Sequence, residues 1–411
     1  MAEVGGLPGV ADGIGDRVVL HVDNDCFYAA CERLRDPSLA GEPVVVGMGF
    51  EPGSTTGAVA TASYEAREYG IESAQAISVA VDTLPPRDQV DESYEGPTGI
   101  YKPVDMDYYT EKAADIKAVL RSYADSFRKV SIDEAYLDVT DRTSWENAHE
   151  FAAEIQQRIS SEIGLPVSIG VAPNMAVAKV ASDHDKPEGL VVVPPVEVAE
   201  FLADLPVTDL HGVGPKTAGR LHEMDLESVG DLASADRDAI VDRFGERGRE
   251  LYRRANGIDR RIVEERGDPK SLSRESSFDE AVTDHEVVSE KVTELASAVA
   301  GRAADRGATY RTVGIKVVEP PYTVNTREQS LPGPIEDEDI VRNIAHELLA
   351  EFEDQPIRKI GVRVSNLSFA DGEQSALDSW SSDEATPQDV SKDYHSPVRG
   401  QVSLGHYTDT E

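Results

Sequence analysis

The sequence predicts an α+β chain of several domains, and three observations carry that prediction. Over residues 17–205, short apolar runs of strand type alternate with amphipathic helical stretches. Residues 206–267 read as helices alone, and residues 271–369 switch to a β-α-β-β-α-β order. The chain has 411 residues. That is too long for one core, and roughly two to four domains are expected.

Charge narrows the class. Asp and Glu number 77 against 40 Lys and Arg, and 28 of those basic residues are Arg. An acid excess with little lysine is the pattern of adaptation to molar salt, where carboxylates hold water and repulsion is screened. The long apolar periodicities exclude an acidic disordered chain for most of the length. A net charge of −37 argues against phosphate binding by the surface at large. Residues 206–369, however, hold 23 of the 40 basic residues, which leaves room for a basic face there. No apolar run approaches a membrane span, and the first 16 residues lack the pattern of a signal peptide. Cys26 and Cys31 make neither a disulfide framework nor a zinc spacing. The expectation is a soluble, cytoplasmic protein that meets no membrane.

In chain order, Arg17 to Tyr28 opens as a buried-type strand with Asp23 and Asp25 at its end, followed by a helix start. Acids at the carboxyl end of a strand, beside a helix, suit metal and phosphate chemistry; an Asp helix cap at Asp25 is the plainer reading. Pro43 to Gly47 is a second strand. Gly57 to Tyr64 has little side-chain volume and leaves room for a flat ligand. Tyr64 and Arg67 stand three apart on one helical face, and a tyrosine hydroxyl with an arginine can grip phosphate oxygens. Residues 84–107 are rich in Pro, Gly and acid and read as a loop. Helices are expected at 108–123, 148–163 and 176–182, and a strand at 167–172. Lys186 sits on a Pro-Gly turn from which it can reach a ligand phosphate.

The stretch Val130 to Val139 has a strand pattern interrupted by Asp133 and Glu134. Adjacent strand residues point to opposite faces, so both acids are accommodated only if the backbone bends. Read alone, the pair suits an exposed hairpin; buried, it calls for a partner such as a divalent cation. His211 to Leu221 contains Gly212-Val-Gly214 before a helix with Lys216 nearby, an arrangement for one backbone phosphate of DNA. In the segment 271–369, Arg274, Arg311, Lys316, Arg327 and Arg363 lie on the strands while much of the acid lies on the helices. This predicts a basic sheet face; the alternative is that these residues sit in ordinary surface ion pairs. From Ala370 the chain is Ser-, Asp- and Gln-rich, and Gln401, Leu404 and Tyr407 are spaced to anchor a one-turn peptide in an apolar pocket.

Three of these motifs resemble those of the Y-family DNA polymerases of the DinB type, over residues 17–369. They are His21-Val-Asp-Asn-Asp-Cys-Phe-Tyr-Ala-Ala, Ala60-Thr-Ala-Ser-Tyr-Glu-Ala-Arg, and Ser131-Ile-Asp-Glu-Ala-Tyr-Leu-Asp-Val. The resemblance implies a right-hand polymerase. Its parts would be a leader (1–16), a ferredoxin-like palm (17–40 and 96–205), small fingers (41–95), a helix-hairpin-helix thumb (206–267), a little finger (268–369) and an acidic tail (370–411). It implies template-directed, low-fidelity DNA synthesis past lesions, with two Mg²⁺ ions, dNTPs and primer-template DNA. Asp23 and Asp133 match the shared metal ligands, Glu134 the third catalytic carboxylate, and the Asn24 backbone carbonyl completes the nucleotide-metal site. Tyr28, beside Phe27, matches the steric gate that excludes a ribose 2′-hydroxyl. Tyr64, Arg67 and Lys186 match triphosphate-binding positions, and Ala58 and Ala60 the small residues over the nascent pair. Gly212, Gly214 and Lys216, read above as a DNA-phosphate site, fall within the implied thumb. The peptide at 401–408 resembles a motif for a sliding clamp (PCNA), with Thr408 in place of its usual second aromatic. A monomer is implied. Asn24 occupies a position where the family often has an apolar or aromatic residue. The competing readings are a non-catalytic DNA- and clamp-binding scaffold and a nucleotidyl cyclase on a similar palm.

Overall fold

The computed structural model describes residues 17–369, which form two compact units, 17–266 and 267–369. The expected leader, and the tail with Gln401, Leu404 and Tyr407, lie outside the described residues. The first unit begins with β1 (Val19–Asn24), α1 (Phe27–Arg35), β2 (Val44–Met48), β3 (Ala58–Ala62), α2 (Tyr64–Arg67), α3 (Ile77–Thr83) and β4 (Ile100–Pro103). It continues with α4 (Met106–Arg121), β5 (Ser126–Lys129), β6 (Glu134–Asp138), α5 (Ala148–Ile163), β7 (Val167–Ala172), α6 (Met175–His184) and β8 (Leu190–Val192). The helices α7 (Val198–Ala203), α8 (Pro215–His222), α9 (Val229–Ser234), α10 (Arg237–Phe244) and α11 (Glu246–Ala255) complete it.

β1 lies at the centre of a five-stranded sheet ordered β5-β6-β1-β7-β8, antiparallel to both neighbours. All six of its residues are buried, which is why it reads as a continuous apolar run rather than an alternating one. Leu20 and Val22 face one core with Ile116 and Leu120 of α4 and Ile155 and Ile159 of α5. Val19 faces the other way, into a core shared by Val177 and Val180 of α6 with Leu202, Leu221 and Leu251 of the later helices. The helical segment expected as a separate thumb therefore packs into the same core as α6. By strand alternation His21 and Asp23 share the face of Val19, toward α6. Gly170, opposite His21 on β7, makes that approach close: a Cβ there would stand 2.1 Å from the Ala178 carbonyl oxygen.

A second, three-stranded sheet is ordered β3-β2-β4, with β4 parallel to β2. Its core holds Val45, Phe50, Val59, Ile71, Ile77 and Leu84. The third strand of that sheet, Ile100–Pro103, lies beyond the residue 95 at which the fingers were expected to end. The loop expected over 84–107 is shortened accordingly.

The second unit runs β9 (Ser271–Val282), α12 (His285–Asp305), β10 (Ala308–Glu319), β11 (Thr323–Ile335), α13 (Glu338–Leu349) and β12 (Ile357–Phe369). Its sheet is ordered β11-β10-β12-β9, each neighbour antiparallel. Each helix thus joins two parallel strands separated by one other, and the two split β-α-β units interleave. Val313, Ile315, Val317, Ile360, Val362 and Val364 pack with both helices and define the covered face.

That register corrects the expected single basic face. Lys316 pairs across from Gly361, and Arg363 across from Gly314, on the open side. Arg274 stands opposite Val362, and Arg327 opposite Ile315, on the helix side. Arg327 is bound there by Glu351 at 2.5 Å and lies over the Phe352 ring. Arg311, at the irregularity between Tyr310 and Thr312, is exposed and donates to the Pro332 carbonyl at 3.3 Å. Among the described residues, no helix is long and apolar enough to cross a membrane.

Candidate active site

The register of β1 on β6 sets Asp23 directly opposite Glu134. Cross-strand partners share a face, so these two carboxylates converge with His21: one ligand atom from each lies within 4.8 Å of the others. Asp133 comes just before β6, and its direction is set by a turn rather than by the strand. Ser131 Oγ accepts from the amides of Asp133 (3.3 Å) and Glu134 (3.0 Å) and donates to the Asp133 carboxylate. The backbone does bend where two adjacent acids require it. The pair brought together is Asp23 with Glu134; the Asp133 carboxylate is held in the turn, outside the cluster that Asp23 and Glu134 form with His21.

Three side-chain donors from separate parts of the chain hold this turn by its carbonyls. Lys117 Nζ of α4 reaches Ile132 O at 2.7 Å, Asn24 Nδ2 of β1 reaches Asp133 O at 2.9 Å, and Arg266 reaches Val130 O at 3.5 Å. The Asn24 amide also donates to Asp133 O, at 3.1 Å. Asn24 is 5% exposed, and its Oδ1 has no hydrogen-bond partner. The reading of the sequence used only the Asn24 carbonyl; its side chain is the larger contribution to the geometry.

Two ammonium groups balance the acids. Lys179 Nζ of α6 stands 2.8 Å from Asp23, 2.7 Å from Glu134 and 3.0 Å from Asp183. Lys186 Nζ stands 2.9 Å from Asp23 and 2.8 Å from Asp183. Burial acts to raise the Asp23 carboxyl, but Lys179 and Lys186 hold it well below the usual carboxylate range. Burial, with Asp23 alongside, pushes Glu134 up to about 7 against the pull of Lys179. Burial and Asp23 also raise Asp133 against its bond from Ser131. His21 is fully buried and held neutral, by burial first and then by Lys179. Its Nδ1 is 2.7 Å from Ser182 Oγ, which itself donates to the Lys179 carbonyl at 2.8 Å. The proton is therefore on Nδ1, and Nε2 faces Glu134 Oε1 at 3.8 Å as an acceptor. Sequence reasoning missed Lys179, whose four-residue spacing from Asp183 reads as a surface helix pair.

The other expected residues surround this cluster. Asp25 is not a helix cap: Cys26 occupies that position with φ 46°. The buried Asp25 carboxylate accepts from Ser168 Oγ (2.9 Å), Tyr64 OH (3.1 Å) and the Glu188 amide (2.8 Å). Tyr64 and the turn that carries Lys186 are thus tied to one carboxylate. Burial, then Asp25, raises the Tyr64 hydroxyl well above the usual phenol range. Arg67 is exposed, donates to Ala62 O at 3.1 Å and lies 4.9 Å from the Tyr64 ring. Ala58 and Ala60 are half-buried on β3. Tyr28 is 9% exposed and stacks on Tyr109 with ring centres 4.5 Å apart; Phe27 packs at 5.7 Å. Tyr109, whose OH donates to Glu32 at 2.8 Å, is a second residue the sequence did not single out. Gly214 is the N-cap of α8, and Lys216 in its first turn is exposed. Gly212 has φ +98° and its carbonyl accepts from Arg247 at 2.7 Å.

The donor set suits hard divalent cations: oxygen ligands dominate, and two ammonium groups already supply positive charge among the acids. Comparison with known proteins decides the family. Residues 22–183 match the impB/mucB/samB family, 195–226 its HHH motif, and 269–377 its C-terminal domain. The chain is 56% identical to DNA polymerase IV of Halobacterium salinarum, over 92% of this chain and 91% of that one. It is 42% identical to DNA polymerase IV of Methanoculleus marisnigri, over 89% and 99%. The chain belongs to the DNA polymerase IV type of the Y-family DNA polymerases. Among solved structures, a chimera of the Y-family polymerases Dbh and Dpo4 matches with TM-score 0.75 and 28% identity, over 86% of this chain and 99% of the chimera. An insertion ternary complex of Dbh DNA polymerase matches with TM-score 0.61 and 27% identity, over the same shares. The chain is therefore an enzyme, a metal-dependent DNA-directed DNA polymerase of the translesion type, with the multidomain α+β architecture of that family. The scaffold and cyclase readings are set aside.

Proposed function

We propose that Asp23, Glu134 and Asp133, with the Asn24 carbonyl, hold two Mg²⁺ ions for transfer of a dNMP from a dNTP to a primer 3′-hydroxyl, without proofreading. The observation that carries this is the convergence of Asp23 and Glu134 around Lys179, with the Asp133 turn fastened beside them. Such ions, when bound, activate the attacking hydroxyl and stabilise the charge on the leaving pyrophosphate. Tyr64, Arg67 and Lys186 grip the triphosphate, with Lys186 giving up Asp23 to do so. Tyr28, braced by Tyr109, excludes a 2′-hydroxyl. Ala58 and Ala60 leave the nascent pair few walls to be tested against, which makes for low fidelity.

In this reading the five-stranded sheet with α4 and α5 is the palm, the three-stranded sheet with α2 and α3 the fingers, 206–267 the thumb, and 268–369 the little finger. Gly212, Gly214 and Lys216 contact DNA phosphates, as do Lys316 and Arg363 of the open sheet face and the exposed Arg311 at the β10 irregularity; Arg274 and Arg327 serve the domain itself. The enzyme acts as a cytoplasmic monomer, with Gln401, Leu404 and Tyr407 docking a sliding clamp. Deleting 400–411 then abolishes clamp-stimulated extension and spares basal extension.

Primer extension with Mg²⁺ tests the catalytic assignment. Asp23→Ala, Asp133→Ala and Glu134→Ala each lower the rate by at least about 10³-fold, several kcal/mol of transition-state stabilisation. Synthesis retained by all three overturns it. Tyr28→Ala admits ribonucleotides; an unchanged rNTP/dNTP preference refutes the gate.

A further inference from the structure

Outside the catalytic cluster, a compact arrangement of facing charges lies on the open face of the second unit. Glu275 on the edge strand β9 pairs across from Gly361 of β12, which in turn pairs across from Lys316 of β10. Gly361 has no side chain, so the Glu275 side chain lies over it: a Cβ at 361 would stand 2.6 Å from Glu275 Cγ. Through this gap Glu275 crosses one whole strand. Its two carboxylate oxygens stand 3.0 and 3.1 Å from Lys316 Nζ, and one of them stands 2.6 Å from Lys359 Nζ. All three side chains are about one-third exposed, so solvent and solutes reach them. The unit is therefore built with two lysines aimed at one oxyanion that spans them. A phosphodiester oxygen offers the same charge and the same accepting atoms.

We propose that Glu275 is an internal substitute for a DNA phosphate: it occupies Lys316 and Lys359 in the free chain and yields them to the duplex backbone. It thereby sets both the strength and the salt dependence of DNA binding by this face. Each lysine that meets a phosphate releases counterions and adds about 0.9 to the slope of log K against log salt. A lysine that must first leave a carboxylate contributes less, because one ion pair is exchanged for another. The inference rests on the reading that the open face meets DNA.

The test uses the full chain with a primer-template duplex, and measures dissociation constants by fluorescence anisotropy across a KCl series. Glu275→Gln keeps the shape and removes the charge. The expected result is binding about 10-fold tighter at the lowest KCl concentration at which circular dichroism shows the chain folded, with a slope steeper by about 1 to 2. The advantage shrinks as salt rises. Lys316→Gln with Lys359→Gln supplies the second arm. This pair weakens binding modestly alone and strongly in the Glu275→Gln background. If the lysine changes weaken binding equally in both backgrounds and Glu275→Gln leaves affinity and slope unchanged, the role of Glu275 is refuted while the face remains a DNA contact. If the lysine changes have no effect in either background, the lysines meet no phosphate and the proposal falls; if Arg363→Gln has no effect either, the open face is not a DNA contact and that reading falls with it.

Discussion

The buried acid cluster proposed as catalytic and the open face of the second unit are both neutralised from within, but with the signs exchanged. At Asp23 and Glu134, carboxylates are held by the ammonium groups of Lys179 and Lys186. At Glu275, one carboxylate holds two lysines. Depth separates them. The Asp23 side chain is 10% exposed and Lys179 19%, against 29% for Glu275 and 36% for each of its lysines. A buried charge cannot lose its partner without another arriving, whereas a half-exposed one is compensated by water and salt. The same local arithmetic thus gives a site that demands a replacement cation and a face whose strength follows the medium.

The largest effect that sharpens this contrast comes from Lys179→Met. With Lys179 gone, Glu134 loses its ammonium partner and Asp23 keeps only Lys186, which destabilises the metal-free chain by about 3 kcal/mol. Thermal unfolding in a chelator falls by several degrees, and millimolar Mn²⁺ restores most of the loss. An unchanged midpoint breaks the comparison. Next is pH. The Glu134 carboxyl is raised from its usual 4.5 to about 7. The folded chain therefore binds the extra proton between those values, and the Glu134 contribution to stability falls as pH rises through that window. The buried neutral histidines His21 and His211 act in the opposite direction over the same range. Urea unfolding in a chelator therefore isolates Glu134 as the difference between the parent chain and Glu134→Gln, which falls by on the order of 2 kcal/mol from pH 5 to pH 8. Asp23, held low, has the opposite sign, and its stabilisation is lost only as pH falls below the ordinary carboxylate range. A smaller effect is expected of Asn24→Ala, which releases the Asp133 carbonyl at a cost of about 1 kcal/mol in stability. Its kcat falls roughly 10- to 100-fold through misplacement of the turn, while the KM for dNTP stays near its value. An unchanged kcat removes Asn24 from the positioning of Asp133. Smallest is the stability change of Glu275→Gln, below about 1 kcal/mol in 0.15 M salt, measured by urea unfolding. A loss as large as that of Lys179→Met erases the distinction of depth.

Much of this was legible in the sequence, for physical reasons particular to each residue. Asp23 and Glu134 stood out because acids interrupting apolar strands need a cause. The helix 148–163 followed from its periodicity, and its ends agree with the structure. Lys179 was hidden, because only the packing of α6 over Gly170 turns an apparent surface lysine toward β1. Which acid faces Asp23 depends on strand register, and the sequence alone does not state it. The sides taken by Arg274 and Arg327 follow from strand parity. Arg274 is two residues from the buried Leu272, and Arg327 four from Leu331, so strand parity sends each toward the helices.

Asp25 carries a consequence of its own. One carboxylate receives bonds from Tyr64 at the start of α2, from Ser168 in the sheet and from the amide beside the Lys186 turn. The two groups proposed to grip a triphosphate therefore move as one body rather than as two loops. Their spacing is set before any nucleotide arrives, so capture orders less of the protein and surrenders less entropy. A tripolyphosphate of fixed length meets a gauge already cut to measure.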